Sequence, residues 1–372
     1  ALSGRPGPVW VDIPMDLQAA VVDIESQKKF VPPSADTDIS PSIDQLINLL
    51  RESKKPLVSF GRGVKISNCK NELIQFLRNT KIPAISARMG NDVLNYSNEN
   101  YFGMGGIRGR RAASRIMKKA DLLITLGTSN CYTFFGDHDD LLSDKCKLVV
   151  VNIDDKIFNR TDLNIHLPIK TDLKKFLSLA NARVDNINFK SWLEECSIIK
   201  AKYPMVTENM AKNPINSYSI SSQALNLDNG QRELTSGAFY TMGLTLPLAI
   251  GAAVAEPESQ IVAITGDGSI ELNIQELQTI NINNLNIKIV VINNGGYASI
   301  RDSQDAMCGG RYTDDEQILN FMKIANAFGL DFEIISDVKE IKPVMKRIFA
   351  NQRPTLIEVV CDDSQYMIQP VK

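Results

Sequence analysis

Ile261-Val262-Ala263-Ile264-Thr265-Gly266-Asp267-Gly268-Ser269 is followed, after a helix-length interval, by Ile287–Ile292 and then Asn293-Asn294-Gly295-Gly296-Tyr297. Each piece is a short β-branched run that stops at a polar, glycine-rich turn, as a buried parallel strand and its exit loop do. Ile270–Ile282 between them reads as a crossover helix, which makes the two runs neighbours in one parallel sheet. In a doubly wound sheet, ligands bind beyond the carboxyl ends of the strands. Asp267 stands just past one end and Asn294 just past the next, so both side chains can reach one crevice. Gly266 and Gly268 let the backbone turn sharply and approach a ligand closely. Ser269 is placed to cap the following helix, whose first N–H groups would face an anion.

The carboxylate of Asp267, the amide oxygen of Asn294 and a backbone carbonyl near Gly296 are hard oxygen ligands that suit Mg²⁺. One carboxylate holds Mg²⁺ poorly, so phosphate oxygens would complete the shell, and the implied ligand is a diphosphate with its metal. Read singly, Gly-Asp-Gly and Asn-Asn-Gly-Gly are ordinary turns. Their position at the ends of adjacent strands carries the reading.

Outward from this stretch, strands alternate with helices in two blocks. In the first, a helix capped by Ser42 runs through Ile43–Leu50, then come strand Leu57–Phe60, the turn Gly61-Arg62-Gly63 and a helix near Glu72–Arg78. Strands Ile82–Ser86, Leu122–Leu126 and Leu148–Ile153 follow, with helices over Arg111–Lys119 and Asp172–Leu179. In the second block, helices near Phe189–Lys200 and Thr245–Ala255 lead to the quoted strands, then helix Glu316–Phe328 and strand Leu356–Val360. The fold class is α/β, with two tandem doubly wound parallel-sheet domains. Boundaries fall at the Pro- and Ser-rich stretch from Val31 to Pro41 and at the polar Ala182–Asn188. That gives 1–30 as the remnant of a preceding domain, 31–184 as a central domain and 185–372 as a diphosphate-binding domain. Val9–Pro14 reads as a strand with nothing before it to pair with.

The 372 residues hold 41 Lys+Arg against 43 Asp+Glu, a net charge of −2, so no global basic field collects nucleic acid. No apolar run reaches membrane-spanning length. Cys69, Cys131, Cys146, Cys196, Cys308 and Cys361 form no CxxC pair, which reads as reduced, small buried hydrophobes and a cytoplasmic setting. With only His138 and His166, a histidine-rich metal site is not expected.

Gly266-Asp267-Gly268 with Asn293-Asn294 resembles the thiamine-diphosphate signature of the acetolactate synthase and pyruvate decarboxylase superfamily. Gly237-Ala238-Phe239-Tyr240-Thr241-Met242-Gly243, running on to Pro247 and Gly251, resembles the helix that precedes that signature. Gly4–Pro14 resembles the last strand of the family's N-terminal, pyrimidine-binding domain, and Asn320–Gly329 a later helix. The resemblance implies that Asp267, Asn294 and the Gly296 carbonyl hold Mg²⁺ on the diphosphate of thiamine diphosphate. Gly266, Gly268, Ser269, Tyr297 and Ala298 would add backbone or hydroxyl contacts. Met242 would bend the cofactor, with core filling as its bland alternative, and the Tyr240 carbonyl would accept from the cofactor's amino group. The implied reaction is decarboxylation of a 2-keto acid followed by protonation or by carboligation to a second carbonyl compound. The homo-oligomer would be a dimer or tetramer.

Three departures limit what the resemblance implies. The family's activating glutamate lies in the N-terminal domain, so no residue here takes its role and the 372-residue chain alone is expected to be inactive. Asp228-Asn229-Gly230-Gln231 runs directly into Arg232–Ser236, where the family has a further loop, although Gln231 remains a candidate diphosphate contact. Ser303 stands where amino-acid-biosynthetic acetolactate synthases carry a tryptophan that selects the acceptor, which leaves room for a different or larger one. In the central block, Gly127-Thr128-Ser129 lacks the arginine of flavin-binding members, while Gly103–Gly109 resembles their flavin loop. FAD therefore stays open as a second cofactor, with Arg62 and Arg108 either meeting its phosphates or lying on a solvated face. A simple 2-keto acid decarboxylase, a non-catalytic subunit that keeps the cofactor fold, and a plain nucleotide-binding module are the alternatives.

Overall fold

The computed structural model describes residues 1, 4–31, 38–107, 109–136, 141–220, 225–228, 230–237, 239–312 and 319–365. Arg108, His138 and most of the expected 31–41 linker lie outside the described residues.

The first sheet contains β1 (Pro56–Phe60), β2 (Ala84–Ser86), β3 (Tyr101–Met104), β4 (Leu122–Leu126), β5 (Lys147–Asn152) and β6 (Ile165–Lys170). Their spatial order is β3-β2-β1-β4-β5-β6 and every pair is parallel. This is a doubly wound order, with its switch between β1 and β4. Alternate residues along a strand face opposite sides, so β4 and β5 supply two cores. Ile124, Leu126, Val149 and Val151 meet α1 (Ser40–Glu52), α2 (Lys70–Thr80) and α4 (Leu173–Asn181). Leu123, Leu148 and Val150 meet α3 (Arg111–Lys119) and α5 (Lys190–Lys202).

The second sheet contains β7 (Ile261–Gly266), β8 (Ile287–Asn293), β9 (Asp331–Ile335) and β10 (Thr355–Val360), in the parallel order β7-β8-β10-β9. One face is covered by α6 (Thr245–Ala255), α7 (Glu276–Ile282) and α9 (Phe321–Ala327). The other is covered by α10 (Val338–Phe349), which is closed at its start by a capping box between Asp337 and Glu340. A further helix, α8 (Ala298–Cys308), follows the β8 exit loop.

Several expectations are corrected. Residues 9–14 form no strand; they are exposed, Trp10 to 91%, because a strand needs a neighbour and none of the described residues supplies one. Ser42 is no cap: α1 begins at Ser40, with Pro41 in its first turn. The crossover expected over Ile270–Ile282 is broken into the turn Asp267–Ile270, a 3₁₀ turn Glu271–Asn273 and α7. Helix α5, expected in the second block, packs on the first sheet. Its Trp192, Leu193, Cys196 and Ile199 are buried there, and Trp192 Nε1 donates to the Pro56 carbonyl at 2.9 Å. The turn Gly61-Arg62-Gly63 serves close packing: a Cβ on Gly61 would lie 2.6 Å from the Gly127 carbonyl oxygen.

Trp192→Ala removes the largest side chain of α5 from this core together with its hydrogen bond. We expect a loss of about 3–5 kcal/mol in unfolding free energy, measured by denaturant titration. A loss within about 0.5 kcal/mol, the scale of a surface substitution, would place α5 outside that core.

Candidate cofactor site

Strands β7 and β8 run side by side with Gly266 opposite Ile292, so their exit loops meet at one edge of the sheet. Asp267 is only 5% exposed. Its Oδ1 accepts from Gly268 N–H at 2.8 Å, while Oδ2 accepts from Asn294 N–H at 3.1 Å and Gly296 N–H at 2.8 Å. Gly295 and Gly296 have φ of 75° and 101°, the left-handed region that glycine enters without strain. These dihedrals let backbone N–H groups converge on one point, a concave donor site for an anion. Here the anion is the protein's own carboxylate.

Tyr297 closes the cluster on one side. A Cβ on Gly268 would lie 2.5 Å from its ring, whereas a Cβ on Gly266 would meet nothing within 4 Å. The ring is therefore packed on Gly268, and open space remains beside the strand end. Ala298 N–H donates to the Gly296 carbonyl at 3.1 Å, which leaves that oxygen a second lone pair. Asn293, buried in β8, donates to Glu358 Oε1 at 2.6 Å, and its carbonyl accepts from Cys361 N–H at 2.7 Å. The Cys361 thiol is pushed up to about 12, chiefly by burial and then by the Asp267 carboxylate.

The expected site residues separate into groups. Gly266, Asp267, Gly268, Asn294, Gly296, Tyr297 and Ala298 come together as described. Ser269 does not cap a helix: Gly266 is the N-cap residue of the Asp267–Ile270 turn, and Ser269 Oγ instead accepts from Gly243 N–H at 3.1 Å. Asn273 Nδ2 donates to the Gly243 carbonyl at 3.1 Å. Ser269 thus ties the 240–243 turn, with Tyr240 and Met242, to the strand end. Tyr240 has φ 47°, and Tyr240 and Met242 are 46% and 40% exposed. Gln231 lies elsewhere. Its Oε1 accepts from Asp228 N–H at 2.9 Å, in a stretch docked on the first domain. There Glu233 pairs with Arg88 at 2.7 Å and accepts from Asn91 Nδ2 at 2.6 Å.

Two family models match the chain. The model described as thiamine pyrophosphate enzyme, central domain, matches residues 43–179, and the one described as thiamine pyrophosphate enzyme, C-terminal TPP binding domain, matches residues 216–359. The acetolactate synthase large subunit of Cyanidium caldarium is 30% identical over 409 residues, covering 99% of this chain and 70% of that protein. The chain belongs to the thiamine pyrophosphate enzymes. Acetolactate synthase isozyme 1 large subunit of Escherichia coli is 28% identical, over 97% of this chain and 68% of the relative. The large subunit of Corynebacterium glutamicum is 28% identical, over 98% and 64% respectively. The chain thus spans about two thirds of the length of these relatives.

As a thiamine pyrophosphate enzyme, the chain can be tested for its fit to the diphosphate and a divalent metal. Among the described residues, no group of three or more His, Cys, Asp or Glu could hold a metal by itself. A cation at Asp267 would therefore draw on amide, carbonyl and phosphate oxygens. The donor set fits: a carboxylate offers about four lone-pair sites, of which three take backbone N–H bonds. The Asn294 side chain has no hydrogen bond among the described residues. Sequence reasoning missed Arg301, Cys361 and Asn273. The first two carry no motif signal, since an arginine on a helix reads as solvated and a single cysteine as core. The third lies within a stretch read as plain helix.

Gly268→Ala is expected to displace Tyr297 and cost about 1–3 kcal/mol, the range for overpacking; a crystal structure with the ring unmoved would refute the contact. A pH dependence follows from the thiols. Cys69, Cys146 and Cys361 are held at about 12 against an ordinary 9.0. Above pH 9.0 the unfolded chain releases protons that the folded chain retains, so stability falls as pH rises through that window. The urea midpoint should decline there, and less steeply in a Cys361→Ala chain. A midpoint that stays flat would contradict the burial of these thiols.

Proposed function

We propose that this chain carries the diphosphate-holding part of an enzyme that decarboxylates a 2-keto acid with thiamine diphosphate and Mg²⁺. It then joins the remaining fragment to a second carbonyl compound, as an acetolactate synthase does. The observation that carries the reading is the buried Asp267 carboxylate, braced by three backbone N–H groups between two adjacent strand ends. Bound thiamine diphosphate supplies the electron sink on which a 2-keto acid loses CO₂.

In this reading Asp267, the Asn294 amide oxygen and the Gly296 carbonyl would hold Mg²⁺. Gly266, Gly268, Ser269, Tyr297 and Ala298 would line the diphosphate, and Gln231 is kept as a further contact on the resemblance alone. Met242 and the Tyr240 carbonyl, on the turn that Ser269 holds, would meet the cofactor's ring. Ser303 sits on α8 with its hydroxyl donating to the Ser299 carbonyl at 2.9 Å. It adds little bulk there, which favours a larger acceptor than a small keto acid. That the 372 residues alone would bind cofactor without turnover is proposed on the resemblance alone.

FAD stays outside the proposal. At the β1–β4 switch, the Gly61–Gly63 and Gly127–Thr128 loops are packed backbone to backbone, with Gly63 N–H donating to the Gly127 carbonyl at 3.0 Å. All six cysteines are free, and among the described residues no helix is long and apolar enough to cross a membrane. The free cysteines support a cytoplasmic setting. A homodimer or homotetramer is proposed on the resemblance alone.

Calorimetric titration of thiamine diphosphate with MgCl₂ tests the reading. Asp267→Ala should weaken binding by more than the roughly 10–100-fold that loss of a supporting partner costs. Affinity equal to wild type would remove Asp267 from the metal's ligands. Turnover is tested on the full-length protein with labelled pyruvate. Labelled CO₂ together with a condensed product supports carboligation, CO₂ with a protonated product indicates a simple decarboxylase, and neither indicates a non-catalytic subunit.

A further inference from the structure

A trans peptide carries its C=O and its N–H on opposite edges, so whatever holds one edge also aims the other. In the Gly295–Gly296 peptide, the N–H donates to Asp267 Oδ2 at 2.8 Å. On the opposite edge, the Gly295 carbonyl accepts from Arg301 Nη1 at 2.5 Å. Arg301 Nη2 donates to the Asn294 carbonyl at 2.7 Å and to the Asp363 carbonyl at 3.3 Å. The arginine is 4% exposed and lies one helical turn past Tyr297, whose carbonyl accepts its backbone N–H at 3.0 Å.

The loop needs this support for a physical reason. Gly295 and Gly296 both lie in the left-handed region, and glycine has other backbone wells within reach. A planar guanidinium fork meets two successive carbonyls at once, which a lysine ammonium cannot do. Without it, the Asn294, Gly295 and Asp363 carbonyls would lose this donor, and the peptide could rotate its N–H away from Asp267.

Resting on the cofactor reading above, we propose that Arg301 is a positioning residue of the diphosphate and metal site. It touches neither ligand. It fixes the Gly295–Gly296 peptide, and through it the brace on Asp267.

The test uses two readouts on Arg301→Met, which keeps an apolar stem without donors, and on Arg301→Lys, in case the first variant folds poorly. Hydrogen exchange of the segment 290–300, without any ligand, should rise in both variants while β10 stays protected. The MgCl₂ concentration needed for half-maximal thiamine diphosphate binding should rise roughly 10–100-fold. In Arg301→Ala it should fall back on addition of millimolar guanidinium chloride but not of sodium chloride. Unchanged exchange in the loop, or wild-type Mg²⁺ dependence in a folded variant, would overturn the proposal. Exchange that rises over the whole domain would also overturn it, by reducing Arg301 to general packing. A wild-type chain that binds no thiamine diphosphate at any Mg²⁺ concentration instead sinks the cofactor reading, and this proposal with it. The exchange readout, which needs no ligand, tells the two failures apart.

Discussion

A carboxylate filled from within is the constraint on which the second domain's site rests. Asp267 takes N–H groups from its own turn and from the neighbouring loop, and so joins the ends of β7 and β8. Other features of the site follow from that junction. The left-handed pair Gly295 and Gly296 exists to aim those donors, and Tyr297 can lie against Gly268 only because the two loops meet. A hydrogen bond to a charged acceptor is worth about 1.5–3 kcal/mol, and the junction holds the loop together with the Arg301 bonds to the Asn294 and Gly295 carbonyls. Three N–H bonds leave the carboxylate one further lone pair.

The two domains treat their strand ends differently. At the first sheet's switch, glycines allow backbone to lie on backbone and the crevice is closed by Gly61, Gly63 and Gly127. At the second sheet's edge, glycines keep space open beside Gly266. The same residue type thus seals one crevice and opens the other, and only the neighbouring atoms decide which. Contacts between the domains run through the stretch around Glu233, whose carboxylate is gripped by Arg88 and Asn91.

Much of this was legible in the sequence where burial is complete. Leu122–Leu126, Arg111–Lys119 and Thr245–Ala255 are elements to the residue, because uninterrupted apolar runs or clear helical periodicity leave one solution. The strands that went unread, β3, β6 and β9, are all sheet edges. Edge strands are covered on fewer sides, and β6 and β9 mix exposed with buried positions, while β3 contains a glycine. The site was readable as far as residue type and strand end determine it, which includes Asp267, Asn294 and the glycines. It was unreadable where a side chain acts through long-range placement: Ser269 turned to Gly243, Arg301 to the far edge of a peptide, and α5 to the other sheet.

The packing of Tyr297 on Gly268 and the left-handed pair beside it also bear on how such a chain can change over generations. Any base substitution that replaces a glycine codon adds a Cβ, and at these three positions a Cβ meets either a ring or a forbidden dihedral. Drift is closed along the loop itself and stays open on the outer face of α8, where Ser303 and its neighbours meet solvent. Descendants of this sequence would therefore diverge along the outer face of α8 long before they diverge in how the loop is built.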